Sequence, residues 1–93
     1  MGFEEVKELF KRKRAIELLQ ILDTSGELNF KTIDEDIESS SDTISSTLQL
    51  LERYGLVHRN QQSVNDVRYS LTEDGRDTLD KIVEIQDSLE KED

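Results

Sequence analysis

The feature that most constrains this chain is a change of hydrophobic period at Gly55. Ahead of it, Ile44, Leu48 and Leu51 fall at i, i+4 and i+7, with Leu50 widening the stripe. That is the spacing of an amphipathic helix with one side packed. Behind it, Val67, Tyr69 and Leu71 alternate with Arg68 and Ser70, the spacing of a half-buried strand. Gly55 can take the left-handed backbone that ends a helix, and "LVHRNQ" begins an extended run at once. The two extended runs flank "QSVN", so residues 56–71 are expected to form a hairpin set directly on the end of a helix.

The rest of the chain supplies helices around that joint. Phe3, Val6 and Phe10, then Ala15, Leu18, Leu19 and Leu22, recur at three- and four-residue steps, so residues 3–22 read as one helix or two abutting ones. "TSGELNF" interrupts the rhythm, with Gly26 where a helix would stop and "ELNF" able to form a short extended segment. Thr32 and Glu35 match a capping box and Ile33 and Ile37 share a face, which predicts a short helix over 31–39. "ESSSD" is a turn, with Ser41 placed as N-cap of the helix over about 42–53. Thr72 caps a last helix of about 72–90 that carries Glu73 and Asp74 in its first turn. Gly75 inside that helix costs about 1 kcal/mol against Ala, so something is expected to pack closely on it.

With 93 residues there is room for one domain, 1–93, with its core at about 11–85. Hydrophobic residues make up 33% and charged residues 37%, and it is the periodic grouping of the former that separates the chain from a disordered one. There is no Cys, hence no disulfide framework and no thiolate metal site, and neither a signal peptide nor a long apolar run. The expectation is a cytoplasmic chain with no membrane contact. His58 has no second His or Cys to share a metal, and is expected on an exposed strand position. No triad and no Gly-rich phosphate loop is present, so the chain reads as no enzyme, with no cofactor, no metal and no evident small-molecule ligand.

The net charge of −10 is unevenly placed. Residues 1–22 carry five basic and four acidic side chains, residues 23–40 one and six, residues 41–71 three of each, and residues 72–93 three and nine. The helix and hairpin around Gly55 are therefore neutral between acidic flanks. Such acidity fits a chain adapted to a high-salt cytoplasm, as in a halophilic archaeon, where screening weakens surface repulsion. It equally fits an ordinary acidic protein with a solvated surface.

The element order is helix, short extended segment, helix, helix, hairpin, helix: a mainly α winged helix-turn-helix with a three-helix core, a two-stranded wing and a C-terminal helix. Phe30, Ile33 and Ile37, then Ser41, Ile44, Leu48, Leu51 and Gly55-Leu56-Val57, then Arg68-Tyr69-Ser70-Leu71-Thr72 with Gly75, resemble the winged-helix transcriptional regulators of the MarR and HxlR type over about residues 11–85. The chain departs from the HxlR pattern in having no cysteine near the N-terminus, so redox sensing does not carry over. It departs from MarR proteins in being short at both ends. The resemblance implies a sequence-specific regulator that binds double-stranded DNA as a homodimer.

In this architecture the helix at about 42–53 enters a major groove. Ser45, Ser46 and Gln49 are the candidates for base edges, since Gln can pair with an adenine edge in two places and Ser with bases or phosphates. Arg53, Arg59 and Arg68 are the candidates for the backbone. The same residues also fit a plainer reading, in which the serines and Gln49 form a solvated helix face and the wing arginines pair with Asp66. "KRKR", residues 11–14, would spread round one helical turn and is given at most a minor backbone contact. Leu79, Ile82, Val83, Ile85 and Leu89 form a stripe too wide for a small monomer to cover, and are assigned to the dimer interface. Against DNA binding stand Asp34, Glu35, Asp36, Glu38 and Asp42, which would repel phosphates. They leave a second function open: a winged-helix protein–protein interaction module that does not bind DNA.

Overall fold

A computed structural model describes residues 2–91. It contains α1 (Glu4–Lys11), α2 (Ala15–Ser25), β1 (Leu28–Asn29), α3 (Phe30–Asp36), α4 (Ser41–Arg53), β2 (Val57–Ser63), β3 (Asp66–Leu71) and α5 (Glu73–Glu90). The fold is a winged helix, mainly helical, with five helices, one more than the single-helix reading of residues 3–22 would give and in keeping with the two abutting helices that the sequence also allows. The additional one arises because the first apolar block is two helices broken at Arg12–Arg14. The break has a packing cause. In one continuous helix Leu9 would point roughly 130° round the axis from the stripe of Ala15, Leu18, Leu19 and Leu22. The turn brings both into one core, where all five are buried.

Two helix starts differ from the sequence expectation. Asn29, not Thr32, caps the third helix: its side chain accepts from Thr32 N at 2.8 Å, so α3 begins at Phe30. It ends at Asp36, where Ile37 turns extended and carries its side chain into the core. Ser40, not Ser41, caps α4, accepting from Thr43 N at 3.1 Å. Ser41 is already helical and donates to the Asp34 carboxylate at 2.9 Å, which ties the start of α4 to α3.

Gly55 does end α4, with φ 76°, and Gly26 ends α2 with φ 78°. The hairpin is tighter than expected, turning at Val64 and Asn65, with a bulge between Gln61 and Ser63. The extended segment after Gly26 pairs with it: Leu28 faces Tyr69 and Asn29 faces Arg68, giving a three-stranded antiparallel sheet in the order β1-β3-β2. α2 is the hub, packing against α1, α4, α5 and β3. Leu18, Leu19 and Leu22 meet Ile33, Ile44, Leu48 and Leu51 there, with Tyr69 and Leu79 closing the other side.

The joint between α4, the wing and α5 is closely packed. Thr72 accepts from Gly75 N at 2.9 Å as the cap of α5, and its hydroxyl donates to Gly55 O at 2.6 Å. Thr72 N donates to Leu56 O at 3.1 Å. Gly75 sits so close that a Cβ there would lie 2.0 Å from Leu56 O, which is the close approach its presence in a helix predicts. From this anchor α5 runs outward, buried at Gly75 and Leu79, half-buried at Ile82 and exposed from Val83 onward.

Candidate nucleic-acid interface

α4 follows the turn after α3 and leads into the wing, and its two sides have separate tasks. Ile44, Thr47, Leu48, Leu50 and Leu51 are buried, and Thr47 donates to Thr43 O at 2.7 Å, so its hydroxyl is satisfied by the helix itself. The other side presents Asp42, Gln49, Glu52 and Arg53 fully, and Ser45 and Ser46 partly. Gln49 lies along the helix and donates weakly to Ser45 Oγ at 3.4 Å, a contact that any better acceptor displaces. Ser46 is more committed: it donates to Thr43 O at 3.2 Å and accepts from Arg12 Nη1 at 3.2 Å.

The candidate cations do not stand alike. Arg53 makes a long, exposed ion pair with Glu8, 3.5 Å, and lies 5.7 Å from the centre of the Tyr54 ring. Tyr54 donates its hydroxyl to Glu8, and that hydrogen bond, with burial and the Glu8 charge behind it, pushes the phenol above its ordinary value of 10. Arg68 is held by Asp66 at 3.0 Å and by Glu27 at 3.6 Å, the pairing that the plainer reading anticipates. Arg59 donates to Gln61 Oε1 at 3.5 Å and has no carboxylate within ion-pair distance among the described residues. The register also separates these two. Arg59 is opposite Tyr69 and Arg68 is opposite Asn60, so they lie on opposite faces of the wing. The wing tip is Val64, 88% exposed, among neutral residues.

"KRKR" is placed otherwise than the sequence reading has it. Only Lys11 is helical; Arg12–Arg14 form the turn into α2, closed by Arg12 N to Leu9 O at 3.2 Å and Ala15 N to Arg12 O at 3.1 Å. Arg14 braces the turn before α4, donating to Glu38 O at 2.7 Å and pairing with Glu17 at 2.9 Å. Arg12 reaches α4. The signal for this is in the sequence, because the mismatch in phase between Leu9 and the α2 stripe already requires a turn at 12–14.

The stripe assigned to the dimer divides. Leu79 belongs to the protomer's own core, and Ile82 packs on that core half-buried, because α2 packs against α5. Val83, Ile85 and Leu89 are 46, 51 and 65% exposed. Phe3, Val6 and Phe10 on the first helix are exposed as well. A groove of about 370 Å³ between α2 and α5 is lined by Ile16, Gln20, Leu79, Ile82, Val83 and Gln86. His58 is exposed on β2. Among the described residues no helix is long and apolar enough to cross a membrane.

No curated protein is similar enough in sequence to match this chain. Solved structures are. The reduced form of the transcriptional regulator YodB from B. subtilis is 27% identical, with a TM-score of 0.75 over 89% of this chain and 83% of its own. A possible HxlR family transcriptional factor from Thermoplasma volcanium is 26% identical, with a TM-score of 0.77 over 97% and 83%. A transcriptional regulator homologue from Pyrococcus horikoshii, 18% identical with a TM-score of 0.77 over 95% of both chains, shares the fold. The HxlR-like helix-turn-helix model matches residues 9–92, and with that match over nearly its whole length the chain belongs to the HxlR-like helix-turn-helix family.

Proposed function

We propose that this chain is a DNA-binding transcriptional regulator that reads its operator through α4 and binds as a homodimer. The observation that carries the reading is the outer side of α4. On a helix whose other side is fully packed, Gln49 is exposed and Ser45 half-exposed near the centre, joined only by their weak mutual contact, after a helix-turn and beside a wing. That placement suits entry into a major groove, with Gln49 toward base edges. Arg59 is the wing cation ready for a phosphate; Arg68 has to leave Asp66 and Glu27 first. The two protomers join through Val83, Ile85 and Leu89 and the apolar side of α1, and the operator is then a two-fold repeat with half-sites about 34–36 Å apart.

The acidity sets the working conditions. Glu35, Asp36 and Glu38 are exposed beside α4 and Asp42 lies in its first turn, so phosphates meet repulsion that salt screens. Binding selection from random duplexes in KCl up to molar strength, followed by fluorescence anisotropy on the winner, tests the reading. The expected result is a selected two-fold sequence with shallow salt dependence, and Gln49→Ala relaxing one position by about 1–3 kcal/mol. If no duplex binds anywhere in the salt range, the proposal is wrong and α4 is an interaction surface for a protein.

A further inference from the structure

The turn between α1 and α2 places a cation where neither the dimer nor the base-facing edge of α4 uses it. Arg12, Ser46, Gln49, Leu50 and Arg53 line a cleft of about 140 Å³ on the flank of α4. Leu50 is buried beneath it, and two guanidiniums with two neutral polar side chains form the walls. Four of the six arginines have a carboxylate within ion-pair distance among the described residues: Arg14, Arg53, Arg68 and Arg76. Arg12 and Arg59 have none. None of the lining residues is acidic, and the carboxylate that Arg53 contacts, Glu8, is divided between Tyr54 and an Arg53 contact of 3.5 Å in the open. Long exposed pairs of that kind are weakly held. The cleft therefore offers net positive charge on an otherwise acidic molecule.

We propose that this cleft is a phosphate site, in which Arg12 and Arg53 hold one DNA backbone phosphate at the edge of the groove that α4 enters. The inference rests on the DNA-binding reading of α4 and adds a contact from outside the helix-turn-helix and the wing. A guanidinium carries five donors in a planar fork suited to two phosphate oxygens. Arg12 spends one of them on Ser46, which fixes its direction. The Ser46 hydroxyl gives its own proton to Thr43 O, so Ser46 is a positioning residue for Arg12 instead of a reader of bases. Gln49, on the wall of the same cleft, is left to turn to a base edge while the phosphate next to it is held. The base contact and the backbone contact are then in fixed register.

The test uses the full chain and the selected duplex. Arg12→Gln should weaken binding to every duplex by the same ratio and reduce the log–log salt slope by about 0.9 for each protomer bound. Arg12→Lys, which keeps the charge and loses the fork, should restore the slope with only part of the affinity. Neutral methylphosphonate linkages, placed one at a time in each half-site, should reveal one position that costs the native chain affinity and costs Arg12→Gln little or nothing. Should Arg12→Gln melt early, the same coupling is read in Arg12→Lys, where the neutral linkage should cost less than in the native chain. An unchanged slope, or a methylphosphonate penalty equal in native and variant chains, overturns the phosphate site while the regulator reading stands, because the native chain still binds. Failure of the native chain to bind any duplex overturns both.

Discussion

Replacing Gly75 by Ala puts two effects of opposite sign against each other. Helix propensity alone favours Ala by about 1 kcal/mol, which for a domain of this size would raise the melting temperature by roughly 4–8 °C. The structure predicts the reverse. The new Cβ would lie 2.0 Å from Leu56 O, and ordinary contact begins at 3.4 Å, so α5 and the start of β2 must part by about 1.4 Å. Leu56 O is main chain and cannot rotate away. It accepts from Thr72 N at 3.1 Å, and Thr72 also donates to Gly55 O at 2.6 Å, so the displacement breaks or strains both bonds. Each contributes about 1 kcal/mol net, and overpacking in a closed site costs about 1–3 kcal/mol more. After the propensity gain the balance is a loss of about 2–4 kcal/mol, or a melting temperature lower by at least about 8 °C. Thermal unfolding by circular dichroism at fixed chain and salt concentration reads it directly. A melting point that is unchanged or raised would show that the joint yields at little cost, and the account of Gly75 as the seat of α5 would fail.

Other consequences follow from the surfaces. Val83→Lys with Leu89→Lys should turn a dimer into monomers in sedimentation without lowering the melting point of the isolated protomer, since neither side chain belongs to the core; a native chain that sediments as a monomer at high micromolar concentration refutes the interface. Asp66→Asn should free Arg68 from its nearest carboxylate and strengthen DNA binding at every sequence in anisotropy; weaker binding would mean that the pair positions the wing. Because Tyr54 titrates above 10 when folded, its contribution to stability is present below pH 10 and lost as the pH climbs through the raised value. Glu8→Ala should bring the phenolate absorbance transition back toward 10, and a transition that does not move would remove Glu8 as the cause.

What the sequence discloses here depends on whether a signal is local. The switch of period at Gly55, the cap at Thr72 and the close packing at Gly75 are all legible, because each is written in a few adjacent residues. The N-cap of α4 is not, since Ser39, Ser40 and Ser41 have equal propensity and only the contact of Ser41 with Asp34, seven residues away, assigns the roles. Leu79 and Val83 share one face of a helix, and the position of α2, fixed by the whole core, decides that Leu79 is inside and Val83 outside. Arg59 and Arg68 look equivalent until the hairpin register places them on opposite faces. β1 is visible as a short extended run, but its pairing with β3 links residues forty apart and leaves no local trace.

On the proposed reading, the conflict between a DNA-reading shape and a charge of −10 is met at the level of single side chains. Net charge sets the long-range field, which salt screens within about 10 Å at 0.1 M and about 3 Å at 1 M. Within that distance of a phosphate what counts is which cations are unpaired, and a cation held by a carboxylate brings its own repulsion with it. Of the arginines, Arg14, Arg68 and Arg76 are so held among the described residues, Arg53 loosely so, and Arg12 and Arg59 not at all. One of the two unpaired arginines lies against α4 and the other is on the wing. An acidic chain arranged in this way gives up steering and non-specific attraction, both of which depend on net charge, and keeps the short-range contacts that depend on geometry. Its discrimination between sequences should therefore hold up in salt that strips a basic regulator from DNA.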